Sequence, residues 1–160
     1  MSAALLTLTS ISVLGLFWSL VIAFTAQVSA DVARHVLVAV FATMLNLLAH
    51  SLMMFYLLGK GRAVREALAE NHLTGDYMLR VTRLRGPVFA RATYAMVLTM
   101  ITAIVGASVD TRVIPAWPHA ALAIGAVALN AWALWTEIVA LRGTSVVVDE
   151  VNARIRTDLS

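Results

Sequence analysis

Four long apolar runs, separated by more polar segments, set the pattern of this chain. They cover about residues 4–26, 34–59, 88–109 and 117–141. A helix needs ~20 apolar residues to cross the hydrocarbon core of a bilayer, and each run meets or nearly meets that length. Within lipid, a helix satisfies its own backbone hydrogen bonds. The pattern predicts an all-α integral membrane protein with four transmembrane helices in a compact bundle, forming a single membrane domain over residues 1–160.

The first apolar run has a second interpretation as a cleaved signal peptide, because Val28, Ser29 and Ala30 resemble a cleavage site. Signal peptides carry a positively charged n-region and an apolar core of ~7–15 residues. Residues 1–30 contain neither Lys nor Arg, and the apolar run is much longer than such a core. We therefore expect an uncleaved first transmembrane helix.

Positively charged residues are distributed unevenly between the segments that flank the four runs. Two of the 12 Lys and Arg residues, Arg34 and Arg112, lie between runs one and two and between runs three and four. The other ten lie in or beside residues 60–87 or in the tail, residues 142–160. Cytoplasmic segments of membrane proteins carry the excess of Lys and Arg. We therefore expect a plasma or inner membrane protein with both termini, the 60–87 loop and the tail in the cytoplasm.

The loop of residues 60–87 has the composition of a basic amphipathic segment. We expect two short helices, residues 62–73 and 77–85, interrupted at residues 74–76, with Asp76 as the N-cap of the second. Basic residues beside a transmembrane helix each gain ~1 kcal/mol from anionic lipid headgroups. The residues predicted to contact such headgroups, or a cytoplasmic partner, are Lys60, Arg62, Arg65, Arg80, Arg83 and Arg85.

Glycine and proline mark the expected ends of the last two transmembrane helices. Gly86 and Pro87 predict the start of the third, since proline is tolerated in the first turn of a helix. Arg142 and Gly143 predict the end of the fourth. The tail that follows is expected to be either a short helix on the membrane surface or a frayed end.

Composition supports lipid surroundings and excludes several kinds of site. Hydrophobic residues make up 61% of the chain and charged residues 13%, against ~45–50% and ~25% in soluble domains. The chain has no cysteine, which excludes disulfides and iron–sulfur clusters. The basic cytoplasmic anchors explain the high pI, and no nucleic-acid-binding motif is present, so we expect no nucleic acid partner. Hydrolase and zinc-protease motifs are absent too, so no catalytic residue and no metal ligand is assigned.

The second and fourth runs each carry a histidine followed 11 residues later by an asparagine. The pairs are His35 with Asn46 and His119 with Asn130. Eleven residues is close to three helical turns, so the two side chains of each pair share a helix face. Small residues between them allow close approach, and amides hydrogen-bond across such interfaces. The spacing predicts that helices two and four pack together through a contact between Asn46 and Asn130.

A second polar group lies nearer the cytoplasmic ends of the same faces. His50 in run two and Glu137 in run four are ionisable residues in apolar surroundings, which are functional candidates in membrane proteins. We expect Arg91 of helix three to pair with Glu137, because an isolated carboxylate in lipid seeks a cation. Tyr94 lies near the same level and completes the predicted cluster. The alternative is an ion pair that only ties two helix ends together.

Three histidines are candidate ligands of a b-type haem. His35 and His119 are expected at equivalent positions at the outer ends of two neighbouring helices, where two imidazoles would bind one haem iron or metal ion. Alternatively, both are interfacial histidines without a ligand, His119 beside Trp117. His50, deeper in the membrane, would bind haem, carry a proton, or only donate a hydrogen bond to a neighbouring helix.

Three functions fit these features. The first is a non-enzymatic accessory or anchor subunit, which would bind other membrane subunits or a second copy of itself. Its support is the small size of the chain and the absence of catalytic motifs. The second is an electron-transfer subunit that binds b-type haem or quinone through the histidines. The third is a proton or ion pathway along Asn46, Asn130, His50 and Glu137.

Overall fold

The computed structural model describes residues 1–25 and 28–158 and consists of four α-helices. Their bounds are Ser2–Thr25 for α1, Ser29–Glu70 for α2, Tyr77–Asp110 for α3 and Ala116–Asp158 for α4. No strand occurs in this part of the chain. Each helix contains a stretch that is long and apolar enough to span a membrane. The prediction of an all-α fold with four such helices is therefore confirmed.

Helices that follow each other in the chain pack side by side. α1 packs mainly against α2 and α3 against α4, while contacts of α2 with α3 and of α1 with α4 close the bundle. α2 and α4 also touch, whereas α1 and α3, as far as they are described, do not approach each other. Helices two and four therefore meet, as the prediction requires, but across the short diagonal of a four-helix bundle.

The bundle has two distinguishable ends. The end of α1, the start of α2 and the connection of residues 111–115 lie at one end, which we term the loop end. The connection of residues 71–76 and the end of α4 lie at the other, which we term the basic end because most Lys and Arg residues are there.

Two of the four helices are about twice as long as the hydrocarbon core of a bilayer is thick. At 1.5 Å per residue, the 24 residues of α1 span ~36 Å, which matches a hydrocarbon core of ~30 Å. The 42 residues of α2 and 43 residues of α4 span ~63 and ~65 Å. At the basic end α2, α3 and α4 continue past α1 as a three-helix extension. Its core consists of Val64, Val81, Val147 and Val151.

The two short helices expected at residues 62–73 and 77–85 are not separate elements. They are the continuous ends of α2 and α3. Lys, Arg, Glu and Ala are good helix formers, and the valine core of the extension stabilises the longer helices. A break is present between them, at residues 71–76, but Asp76 makes no side-chain capping hydrogen bond.

Pro87 and Gly143 lie inside helices and not at their ends, contrary to the prediction. Pro87 lacks an N–H and costs α3 one backbone hydrogen bond, but the next residue, Val88, is fully buried and holds the helix against its neighbours. Gly143 continues α4 and allows close approach of α3, since a Cβ there would lie 2.7 Å from Leu84 Cδ1. The tail, as far as it is described, therefore continues α4.

The distribution of side chains is the reverse of that in a soluble protein: polar side chains lie in the interior and large apolar side chains lie on the surface. Asn46, His50, Asn130 and Glu137 are completely buried. Large apolar side chains cover the outer faces of the helices; Leu37, for example, is 72% exposed. Extended exposed apolar surface is rare on soluble monomers and marks contact with a membrane or another protein. The arrangement is compatible with a membrane location.

Candidate functional site

His50 on α2 and Glu137 on α4 form a pair in the interior of the bundle. Both side chains are 0% exposed, and His50 Nδ1 lies 2.6 Å from Glu137 Oε1. The contact crosses the diagonal between the two helices. Burying a carboxylate without a partner costs several kcal/mol. The imidazole therefore provides the partner that water would otherwise supply.

The contacts of Asn130 determine whether the other ring nitrogen of His50, Nε2, carries a hydrogen. Asn130 Nδ2 lies 2.9 Å from Thr99 Oγ1 and 2.8 Å from the carbonyl oxygen of Ala126. That carbonyl only accepts, and the Thr99 hydroxyl donates its own hydrogen to the carbonyl of Ala95. The amide NH₂ must therefore face these two atoms, which turns Asn130 Oδ1 toward His50 Nε2 at 3.0 Å. Since Oδ1 can only accept, His50 Nε2 carries a hydrogen.

This arrangement limits the pair to few protonation states. Because Nε2 donates to Asn130, His50 Nδ1 either donates a second hydrogen to a carboxylate or accepts one from a protonated Glu137. The two states contain the same proton, placed at either end of the 2.6 Å contact. Glu137 Oε2 has no hydrogen-bond partner among the described residues. Because the contact between Nδ1 and Oε1 is only 2.6 Å long, a proton can shift between His50 and Glu137 with little movement of heavier atoms.

An apolar cluster lies on the basic-end side of the pair. It consists of Met53, Leu57, Val88, Ala140 and Leu141. On α2 and α4 its members follow the pair by one to two helical turns, and all of them are 5% exposed or less. The cluster separates the ionisable pair from the three-helix extension.

On the loop-end side of the pair, a cavity of about 530 Å³ lies between all four helices. Nine of the residues on its wall are Ala or Gly, which are too small to fill the space. Thr99 and Ala126, whose oxygens hold the amide nitrogen of Asn130, are also on the wall. Asn130 thus stands between the cavity and the buried pair.

His35 and His119 line the same cavity. Their ring centroids are 6.2 Å apart and their planes are inclined by 72°. His35 Nδ1 lies 3.0 Å from the carbonyl oxygen of Ser19, and His119 Nδ1 lies 3.1 Å from the carbonyl oxygen of Thr102. A carbonyl only accepts, so both Nδ1 atoms donate. The fold thereby brings together two histidines that are 84 residues apart in the sequence (119 minus 35).

The three candidate haem ligands differ in the nitrogen they can offer. His50 uses both ring nitrogens, one toward Glu137 and one toward Asn130. His35 and His119 use only Nδ1, and no hydrogen bond is seen at either Nε2 within the described part of the chain. Only these two therefore keep a ring nitrogen that can bind a metal.

Asn46 does not bond to Asn130, contrary to the prediction. Its Nδ2 lies 3.3 Å from Ser12 Oγ on α1, and Ser12 donates its own hydrogen to the carbonyl of Thr9 at 2.8 Å. Asn46 Oδ1 has no partner among the described residues. The rotation of α2 turns this asparagine toward α1, whereas His50, one turn further along, reaches α4. Equal spacing on two helices does not reveal that difference.

Arg91 and Tyr94 do not join the buried cluster. Arg91 Nη1 lies 2.7 Å from Thr136 Oγ1, and its guanidinium lies 4.1 Å from the ring centre of Trp132. Tyr94 is 68% exposed. The predicted pairing of Arg91 with Glu137 is therefore wrong. The carboxylate points into the bundle, where an imidazole is its partner, while the half-buried Arg91 keeps its charge toward the surface.

The basic residues predicted to contact headgroups lie on or next to the three-helix extension. Arg80 on α3 forms a two-bond ion pair with Glu150 on α4, the second bond being 2.9 Å long. These hydrogen bonds lower the pKa of Glu150 and raise the pKa of Arg80. Arg62 pairs with Glu66 of its own helix at 2.7 Å. Arg65 and Arg83 are exposed, while Lys60 and Arg85 are half-buried. Of the six residues predicted to contact headgroups, Arg62 and Arg80 thus form ion pairs with carboxylates of the protein itself.

Four hydroxyl residues of the site lack a strong sequence signal. They are Ser12 and Ser19 of α1 and Thr99 and Thr102 of α3, all buried. Through a hydroxyl or a carbonyl, each holds one of the two asparagines or one of the loop-end histidines. Their spacings of seven and three residues place each pair on one helix face, which is the pattern that indicates them.

Comparisons of the chain with protein-family models, with curated proteins and with solved structures found no match. The function is therefore inferred from the geometry of the site.

Proposed function

We propose that this protein is a small integral membrane protein that takes up and releases protons at the buried pair of His50 and Glu137. The observation that carries the proposal is a 2.6 Å contact between two ionisable side chains that are both completely buried. Ionisable groups at membrane depth are costly, and they mark proton or ion sites. Four apolar helices support the membrane location. The concentration of Lys and Arg supports a cytoplasmic basic end and an external loop end.

The geometry favours a proton over a larger cation. Calcium and magnesium ions need about six or more oxygen ligands. The described residues contain no group of three or more His, Cys, Asp or Glu side chains that would hold a metal ion. In the buried interior, as far as it is described, the unpaired side-chain acceptors are Asn46 Oδ1 and Glu137 Oε2. A proton needs only one such atom.

Protons would reach the pair from the loop end. The cavity there extends to Thr99 and Ala126, and Asn130 separates these residues from His50. A neutral amide does not titrate near pH 7, so Asn130 has to swing away from His50 before a proton can pass. The apolar cluster blocks the opposite route. We infer that Asn130 acts as a gate, which is closed in this conformation, and that the pair exchanges protons with the loop-end side when the amide swings away.

The hypothesis of an accessory or anchor subunit explains fewer features. Exposed apolar side chains would suit a partner subunit, but they suit lipid equally well. An anchor has no need of an ionisable pair in its interior, and here one carboxyl oxygen of that pair has no partner among the residues that the structure describes. The proton function accounts for both the burial and the hydrogen-bond network.

Infrared difference spectroscopy of the purified protein in lipid nanodiscs tests this proposal. Spectra of the wild type at acid and alkaline pH should differ in a carbonyl band of a buried carboxylic acid. Glu137→Gln should remove that band. His50→Gln should change the frequency of that band, because the carboxyl group loses its hydrogen-bond partner. Glu70→Gln, at an exposed position of the same chain, is the matched control and should leave the band unchanged.

Two results would contradict the proton function. One is a wild-type spectrum with no buried carboxylic-acid band at any pH. The other is a band that persists in Glu137→Gln. Circular dichroism and size-exclusion chromatography of each variant distinguish a lost titration from a lost fold.

A further inference from the structure

Both loop-end histidines are held as metal-binding histidines are held. A ligating histidine almost always donates its second ring N–H to a carbonyl, a carboxylate or water, which fixes the tautomer and leaves the other nitrogen for the metal. His35 donates from Nδ1 to the Ser19 carbonyl at 3.0 Å, and His119 donates from Nδ1 to the Thr102 carbonyl at 3.1 Å. In each neutral ring, Nε2 is then the nitrogen with the free lone pair.

The ring of His119 is also positioned by a glycine on the neighbouring helix. A Cβ at Gly106 of α3 would lie 2.8 Å from His119 Cε1 and 3.2 Å from its Nδ1. Any larger residue would displace the imidazole. The ring is therefore fixed by a hydrogen bond that it donates to the Thr102 carbonyl of α3 and by close packing against Gly106.

The separation of the rings matches two ligands on opposite sides of one metal ion. A metal–imidazole bond is about 2 Å long, and the ring centre lies roughly 1.1 Å beyond the nitrogen, so two such rings have centres about 6 Å apart. The centroids of His35 and His119 are 6.2 Å apart. The distance between the ring centres is thus compatible with two imidazoles that bind one ion.

The number of protein ligands favours haem over a bare metal ion. Structural zinc sites use four protein ligands and catalytic sites use three. Among the described residues there is no group of three or more His, Cys, Asp or Glu side chains able to hold a metal. A porphyrin supplies four nitrogens in its own plane and asks the protein only for axial ligands.

The cavity around the histidines suits a large and mostly apolar group. Its volume of about 530 Å³ falls within the ~300–1,000 Å³ of cofactor sites. Two cations, Arg34 and Arg112, are exposed at the same end of the bundle, outside the cavity wall, and guanidinium groups are the usual partners of carboxylates. We propose that His35 and His119 are the axial ligands of a b-type haem bound in this cavity. The two ligands are not members of the buried pair, although the cavity is the same one that the proposed proton route uses, and the haem spectrum tests this inference separately from the proton function.

Absorption and electron paramagnetic resonance spectra of the purified full-length protein test the haem site. Protein expressed with added haem precursor should show a Soret band, sharp α and β bands on reduction, and a low-spin ferric signal. His35→Ala and His119→Ala should each lose the haem or convert the remainder to a high-spin form. Gly106→Ala should weaken haem binding several-fold, because the added Cβ displaces His119.

One control variant separates ligation from general damage. His72→Ala removes an exposed histidine of the 71–76 connection, which belongs neither to the cavity wall nor to the buried pair. It should keep the wild-type haem spectrum. Titration with hemin covers haem lost during purification, and size-exclusion chromatography confirms folding. The proposal is overturned if the folded wild type binds no hemin, or if the variant lacking both His35 and His119 gives the wild-type spectrum.

Discussion

Asn46 and Asn130 are both completely buried, yet the bundle uses them differently. Asn130 donates to Thr99 and to the Ala126 carbonyl and accepts from His50, so both ends of its amide are satisfied. Asn46 donates once and leaves its carbonyl oxygen without a partner among the described residues. A buried unpaired acceptor costs ~1–3 kcal/mol. These contacts indicate that Asn130 stabilises the bundle, whereas Asn46 adds little to its stability or lowers it.

Replacing each asparagine by leucine separates these two roles. Asn46→Leu removes an unpaired acceptor, and Ser12 keeps its bond to Thr9, so the free energy of unfolding should stay the same or rise. Asn130→Leu leaves the Nε2–H of His50 without an acceptor and should lower that free energy by ~1–3 kcal/mol. Reversible denaturation in detergent measures both values. Equal destabilisation by the two changes would show that Asn46 has a partner that these contacts miss.

At the scale of the helix, the two glycines near the end of the second apolar run have different roles. Gly61 is buried, and a Cβ there would lie 3.2 Å from Arg85 Nη1 and 3.5 Å from Val81 Cγ1. Gly59 has nothing within 4 Å of that position. Both lie well inside α2, which continues to Glu70. Gly61 therefore permits the close approach of α3, while Gly59 only weakens the helix.

Gly59→Ala tests whether α2 really continues through this point. Inside a helix, with open space for the methyl group, alanine should raise the free energy of unfolding by ~0.5–1 kcal/mol over glycine. Gly61→Ala is the matched control, and its gain should be smaller or negative because Arg85 has to move. A loss of stability in Gly59→Ala, measured by the same denaturation, would mean that the helix ends at Gly59, as the apolar pattern alone suggests.

For the whole molecule, the four helices follow from the sequence because an apolar segment in lipid has few alternatives to a helix. Their lengths do not follow. Hydropathy indicates where lipid contact ends, and residues 60–70, which carry five charged side chains, are still helical. Glycine and proline are also misleading as markers of helix ends. Pro87 and Gly143 lie inside helices, because packing between neighbouring helices accommodates both.

The histidines, asparagines and glutamate of the candidate site could be predicted from the sequence, but its hydroxyl residues and the contacts between its members could not. His50 and Glu137 stand out as ionisable side chains within apolar runs. Their pairing depends on how each helix is rotated against its neighbours, which helical spacing does not give. Charge alone favours Arg91 as the partner of Glu137, yet the guanidinium bonds to Thr136. Thr99 has no sequence signal comparable to a charge, because a threonine in an apolar run differs little in hydropathy from its neighbours.

Orientation in the membrane is the remaining property of the whole molecule, and the cysteine-free chain allows a direct test of it. Ten of the 12 Lys and Arg residues lie at or toward the basic end, so that end should be cytoplasmic. Thr74, in the 71–76 connection, and Thr111, at the loop end, are both exposed. In intact cells, a membrane-impermeant maleimide should label Thr111→Cys at once, and Thr74→Cys only after the membrane is permeabilised. The reverse pattern would invert the orientation, and labelling of both from outside would mean that one of the four helices does not cross. Labelling of Thr111→Cys alone would place the mouth of the histidine-lined cavity on the external side, where protons would enter.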